Sequence, residues 1–415
     1  MKLYENILYS IHCAIIGDII GFGNGEVEFN FNESQKIGSR SDIDKISQLS
    51  DRHVADFISK GGYTNIDISK DIASDDTILT LAVLDALIET YNIKNINIII
   101  DQIKLHMIHY FGDDSKFNLR AYGNRTIKSF ERITKEKDWN KFAFSENAGG
   151  CGTSMRSMPI GLIYYGEKNR DKLMEISIQS SRITHNNPIG YLGGYVSALF
   201  TAFAMEKIDP QKWIFKLVKY LDSNKLKDFI KKVVCKEFPN DHNKHIGSYN
   251  QFLSLCNKYI KLKFNEEKYK DNSKDVFMRL FNQRSQFYYN HFGSKGTFNP
   301  GSNGFDSVII AYDCLLDCKG SFETMIYYSM LHAGDSDSTG CIAGALYGAY
   351  YGRFVLPKNL YKIEFYDKTK KLVDKYKQIV TTGVNTSQMN ARKRLFNSDI
   401  FKKKIKKKIL KLNIP

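Results

Sequence analysis

Apolar residues recur along the chain at the three- and four-residue spacing that gives a helix one buried face. Ile7 to Ile20 reads as a buried helix ending at Gly21, and Asp76 to about Tyr91 as a second, with Leu79, Val83, Leu84, Leu87 and Ile88 on its apolar side. Two more are predicted from about Asp171 to Ser181 and from Ile189 to Met205. A further helix follows Asp337 and carries Gly340, Gly344, Gly348 and Gly352 at four-residue spacing. Each glycine inside a helix weakens it by roughly 1 kcal/mol, so such a stripe implies another helix crossing at close range. A membrane helix pair would also use small residues, but the tyrosines and the acidic start of this segment favour a packed core. With only seven prolines in 415 residues, the predicted fold class is all-α.

From about Lys212 to Gln286 the chain is rich in Lys, Asn, Phe and Tyr and shows no chemical motif, so peripheral helices and loops are expected. Internal repeats are not evident, and the predicted division is a domain over 1–380 with a basic extension over 381–415. No apolar run reads as long enough to cross a bilayer, and the mixed-charge start lacks a secretory pattern.

Charge changes the picture at the C-terminus. The net charge is +15, but residues 391–415 hold ten Lys or Arg against the single Asp399, which leaves nine of those charges in the tail. A mildly basic body argues against nucleic-acid binding by the body. Arg392 to Lys411 fits a basic amphipathic helix with Phe401, Ile405, Ile409 and Leu412 on one side. Two readings of it stand: a solvated, partly frayed appendage, or contact with an anionic membrane, nucleic acid or an import receptor. The seven cysteines are scattered without a C-x-x-C pair and read as reduced thiols in a cytoplasmic protein, with a nuclear location open through the tail.

The chemistry concentrates in two acidic clusters, Ser74-Asp75-Asp76-Thr77 and Asp335-Ser336-Asp337-Ser338-Thr339, each leading into an apolar helix. Such residues are good N-caps, yet a cap needs only one of them, and crowded carboxylates beside hydroxyls suit hard divalent cations. Without Cys or His in either cluster, zinc is a poor candidate. The loop Gly149-Gly150-Cys151-Gly152-Thr153-Ser154-Met155-Arg156 lets backbone approach a phosphate, although a plain turn into a buried helix would look the same. Cys151 has no nearby base to make it a nucleophile. Gly17-Asp18 through Gly25 to Glu28-Phe29 reads as a helix end running into a glycine-rich turn that exposes an acid, and His185 as a lone histidine at a turn before Pro188.

In this order the segments resemble the ADP-ribosylglycohydrolase family, and within it the ADP-ribosylarginine hydrolases. The resemblance is carried by Gly17-Asp18, Asn24-Gly25, Glu28-Phe29, Ser74 to Thr77, Gly149 to Arg156, Thr184-His185 with Pro188, Ala311-Tyr312-Asp313 and Gly334 to Thr339. It implies an orthogonal helical bundle around a binuclear Mg²⁺ site held by Ser74, Asp75, Asp76, Asp335, Asp337 and Ser338. It implies that Glu28 is a catalytic or gating acid acting with Asp75 and Asp76. ADP-ribose contacts fall on Gly149, Gly150, Cys151, Gly152, Thr153, Ser154, Met155 and His185, with Tyr122, Ser302 and Asp306 on further substrate loops. The sequence departs from the family at Ala333, where glycine is usual, and around Asp113 and Asp114.

The implied activity is Mg²⁺-dependent removal of ADP-ribose from a modified protein side chain, arginine first. ADP-ribosylated protein is then the substrate and ADP-ribose the product. The alternatives are serine-linked or polymeric ADP-ribose, O-acetyl-ADP-ribose, or an idle module that binds ADP-ribose without turnover. Cleavage at ribose C1 would pass through an oxocarbenium-like state, with two cations orienting the ribose and an acid such as Glu28 taking a proton from water.

Overall fold

The first apolar run becomes α1, Lys2–Phe22, in the computed structural model, which describes residues 2–29, 43–135, 140–264, 281–292, 299–352, 356–383 and 389–412. This helix does not end at Gly21. It continues because Gly21, like Gly17, lies against the backbone of a second helix, at Ser336 and Gly340.

The other helices that carry the architecture are α2 (Ile43–Ser59), α3 (Asp75–Glu89), α4 (Ile96–Asp113), α5 (Asn124–Lys135), α6 (Arg170–Arg182) and α7 (Pro188–Met205). They continue with α8 (His242–Phe264), α9 (Phe281–His291), α10 (Gly304–Asp317), α11 (Ser336–Tyr351), α12 (Tyr366–Thr382), α13 (Met389–Asn397) and α14 (Asp399–Lys411). Among the described residues the fold is all-α, and its only β feature is an isolated bridge between Gly150 and Asn303.

The glycine stripe explains itself in the crossing of α1 and α11. A Cβ at Gly340, Gly344 or Gly348 would run into the carbonyl oxygen of Gly17, Cys13 or Tyr9 respectively. Three of the four predicted glycines therefore serve the crossing. The fourth, Gly352, takes φ +71° and stops the helix instead.

The span from Lys212 to Gln286 is less peripheral than expected. Its α8 and α9 send Lys263 and Arg284 into the interior, where both are buried with Asp313 and Asp317 of α10. Lys263 Nζ lies 2.9 Å from Asp313 and 2.7 Å from Asp317, and Arg284 pairs with both carboxylates as well. Two cations match two carboxylates, the condition under which buried charge is tolerable.

Two helical stretches, Leu3–Gly25 and Pro188–Met205, are long and apolar enough by length and composition to cross a membrane, contrary to the expectation from sequence. They are 78% and 94% buried inside the protein, which accounts for their apolar character.

The tail also departs from its first reading as a frayed appendage. Phe401 and Ile405 are buried against Gly112 of α4, Lys404 pairs with Asp113 at 2.8 Å, and Arg392 meets the buried Glu89 at 3.1 Å. The amphipathic pattern is real, and its apolar side lies on the body of the chain.

Candidate active site

Helix α3 starts where the sequence places its acidic cluster. Ser74 is the N-cap, and its side chain accepts a hydrogen bond from the Asp76 N–H at 3.1 Å. Asp18 of α1 meets two more N–H groups at that turn: its carboxylate accepts from Ser74 N and Thr77 N, each at 3.0 Å, and from the Thr77 hydroxyl. Asp18 is thus a buried cap contributed from another helix. Sequence reading took this region for a helix end running into a turn that exposes an acid. The helix does end there, at Phe22, and runs into the turn, but Asp18 is buried within the helix and Glu28 is buried rather than exposed. An aspartate inside an otherwise apolar run was the signal that could have found it.

Asp335 in turn caps α11, accepting from Ser338 N at 3.3 Å, and Asp337 accepts from the same N–H at 2.8 Å. The crossing of α1 with α11 brings this second cluster beside the first. Glu28 joins them because the chain reverses after α1 through Gly23, Asn24 and Gly25, all at positive φ, with Asn24 tied to Asp71 and Ile72. The N–H of Phe29 then donates to Gly334 O at 2.9 Å, laying Glu28 alongside the segment that leads into Asp335.

Carboxylate oxygens of Glu28, Asp335 and Asp337 all lie within 4.8 Å of one another. Burial, and then the charges of Asp335, Asp75 and Asp18, hold Glu28 well above the usual carboxylate range. Asp76 is raised by burial and by Asp18, Asp75 and Asp335; Asp337 by burial and by Glu28, Asp76 and Asp335. Asp75 is raised by burial too, with Asp18 and Asp335 adding to it against the pull of Arg156. The two clusters therefore sense one another directly. Oε2 of Glu28 and Oδ2 of Asp76 are buried with no hydrogen-bond partner. Crowded, orphaned carboxylate oxygens of this kind are an oxygen-rich donor set that a hard divalent cation fits. Glu28 stands with the second cluster as a possible ligand, a role the sequence reading had not given it.

The glycine loop borders the same place. Its backbone is sewn to the turn before α10: Cys151 N donates to Ser302 O at 3.0 Å, and Gly304 N to Gly149 O at 2.9 Å. Residues Gly149 to Gly152 are half-buried, whereas Thr153, Ser154 and Met155 are buried. The Thr153 hydroxyl goes to Gly190 O, that of Ser154 to Cys151 O and Ser307, and Met155 O accepts from Thr80. Those three residues hold the loop's shape. Cys151 donates its thiol to Asp335 at 3.1 Å, and burial with the charges of Asp335 and Asp76 pushes its pKa well up, so it stays a thiol.

His185 packs under the loop. A Cβ at Gly152 would sit 2.9 Å from its ring, which is why glycine is needed there. The ring's Nδ1 shares a 2.7 Å hydrogen bond with Thr184, and burial, then Arg156 and Arg125, keep the imidazole neutral. The other predicted substrate residues are tied to their own neighbours. Tyr122 donates to Asp114 at 3.2 Å, the Ser302 hydroxyl donates to Asn299 O, and Asp306 is fully committed to a capping box with Asn303.

Two further residues escaped the sequence reading. Arg120, buried, donates to the carbonyl of Ala73 at 2.6 Å, and Glu364 accepts from the Ala73 N–H at 3.0 Å. Both grip the backbone of Ala73, the residue just before the first cluster. Nothing in their local sequence marks them, since their partners lie 47 and 291 residues away.

Comparison with known proteins agrees with this geometry. The ADP-ribosylglycohydrolase family pattern matches residues 1–385. A Dictyostelium discoideum protein named ADP-ribosylhydrolase ARH1 is 36% identical over 87% of this chain and 91% of its own length. The protein L444 of Acanthamoeba polyphaga mimivirus, provisionally named an ADP-ribosyl glycohydrolase, is 34% identical over 81% of this chain and 62% of its own. A solved chain described as an ADP-ribosylglycohydrolase-related protein complex shares the fold at a TM-score of 0.54 and 13% identity, covering 91% of this chain and 99% of that one.

Proposed function

The chain belongs to the ADP-ribosylglycohydrolase family, and we propose that it is a Mg²⁺-dependent hydrolase that frees ADP-ribose from modified protein side chains, arginine being the linkage. The observation that carries the metal-dependent reading is the convergence of Glu28, Asp335 and Asp337 within 4.8 Å, with the charges of Asp75 and Asp76 acting on them. The choice of arginine rests on the order of motifs described from the sequence.

In this reading Ser74, Asp75, Asp76, Asp335, Asp337 and Ser338 hold two Mg²⁺ ions, with Glu28 within reach of the second cluster. Bound there, divalent cations supply charge that orients ribose hydroxyls and acidifies water. The half-buried Gly149 to Gly152 accept the diphosphate, because the absence of side chains lets it approach the backbone. Binding energy spent on that end of the substrate keeps ribose C1 in register with the acids. The water oxygen forms a bond to C1 as the C1–N bond breaks, its electron pair leaving with the guanidine nitrogen. Glu28, with Oε2 unpartnered and its carboxylate favoured by the positive charge that bound cations would supply, accepts the proton from water, and that proton passes on to the released guanidine nitrogen to give arginine.

The test is turnover on matched peptides carrying ADP-ribose on arginine or on serine, with Mg²⁺ and with a chelator. ADP-ribose should be released from the arginine peptide alone, and only when Mg²⁺ is present. Turnover undiminished by the chelator removes the metal-dependent reading, release from the serine peptide alone moves the linkage, and binding without turnover on either leaves a module that only holds ADP-ribose.

A further inference from the structure

We propose that the basic C-terminal helix α14 is a positioning element of the active site, acting from Lys408 through Asp114 and Arg120 on the Ser74–Asp76 turn. The inference rests on the reading that this turn holds a cation. Residue 408 lies beyond the family match, which stops at 385.

The route is continuous. Lys408 Nζ donates to Phe111 O at 3.0 Å and to Asp114 O, the carbonyls at the end of α4. A cation there also meets the negative end of the helix. Its Nζ lies over Phe117, 4.5 Å from the ring centroid, and Phe401, Ile405 and the Lys404–Asp113 pair fix the rest of α14 on the same stretch. Asp114 turns its carboxylate to Arg120 Nε at 2.9 and 3.0 Å, to the Tyr122 hydroxyl and to Lys116 N.

Arg120 then faces the site. Its Nη1 holds Ala73 O at 2.6 Å, both Nη atoms grip Glu364 at 2.9 Å, and its own carbonyl accepts the Asp75 N–H at 2.9 Å. Glu364 closes the clamp by accepting from Ala73 N. Gly123, at the end of the same loop, donates to Asp75 Oδ2 at 3.4 Å. The peptide before Ser74 and both ends of Asp75 are therefore held from the 114–123 loop, whose N-terminal end is held by Lys408. Groups that orient a metal ligand commonly govern affinity by about 10- to 100-fold, and one step further out a smaller factor is expected.

The experiment compares full-length wild type with Lys408→Met, Lys408→Arg and, as a charge control on the exposed face of the same helix, Lys407→Met. Mg²⁺ binding is followed by calorimetry beside thermal melting, kcat and KM. Lys408→Met should weaken Mg²⁺ binding by about 3- to 10-fold and lower kcat more than it raises KM. Lys408→Arg should stay within about twofold of wild type, since it keeps donors for both carbonyls, and so should Lys407→Met. Should Lys408→Met fail to fold, Lys408→Gln keeps one donor and should give a smaller shift in the same direction. Mg²⁺ affinity of Lys408→Met, or of Lys408→Gln in its place, equal to that of Lys407→Met overturns the inference alone. A wild type that binds no Mg²⁺ overturns the cation reading and the inference with it.

Discussion

Glu28 shows how much rests on single atoms here. Its Oε2 is buried, has no partner, and shares a 4.8 Å neighbourhood with Asp335 and Asp337. Glu28→Gln keeps the shape and removes the charge. We expect kcat to fall by about 100-fold or more while the helical circular dichroism stays unchanged, because loss of one of several like charges does not harm packing. A kcat within threefold of wild type would exclude Glu28 from any proton or cation role. The types of the site residues could be read from sequence, as could Ser74 as a cap. Arg120 and Glu364 could not, because each acts on a backbone group remote in the chain.

Among the elements, the crossing of α1 and α11 is decisive, since it sets the helix whose Asp18 caps α3 against the acidic start of α11. Backbone meets backbone there, so there is no flexible side chain to yield. Gly344→Ala should cost about 1–3 kcal/mol or more, as overpacking does. Gly247 of α8, which would have nothing within 4 Å of an added Cβ, is the contrast: Gly247→Ala should stabilise by about 0.5–1 kcal/mol. Denaturant midpoints of the two variants check both signs, and equal shifts would show that the crossing tolerates a methyl group. The four-residue spacing announced a close neighbour. It could not say which helix that neighbour was, nor that Gly352 would end the helix.

For the whole molecule, stability should depend on acid through buried histidines. Burial holds His12 at about 4 against the ordinary 6.5, even though its Nε2 donates to Leu360 O at 3.1 Å. His245 is likewise pushed down to about 4, by burial and then by Arg182. Between those values the unfolded chain takes up protons that the folded chain refuses. The contribution of these two histidines is therefore complete above 6.5 and is lost as pH falls from 6.5 towards 4, by up to about 1.4 kcal/mol per pH unit for each. Comparing the slope of the urea midpoint against pH for wild type and His12→Gln isolates one of them; identical slopes would refute the assignment.

The sequence by itself determined the helical class, the two acidic clusters, the glycine loop and the amphipathic tail, because each is written in local spacing and in the chemistry of adjacent residues. Only the tertiary structure decided that the clusters face each other, that Glu28 turns back beside Asp335, that Lys263 and Arg284 meet Asp313 and Asp317, and that the tail lies against α4. Those outcomes depend on contacts between residues far apart in the chain. Such contacts arise from burial and charge matching between whole elements, and a linear pattern holds no record of which surfaces will meet.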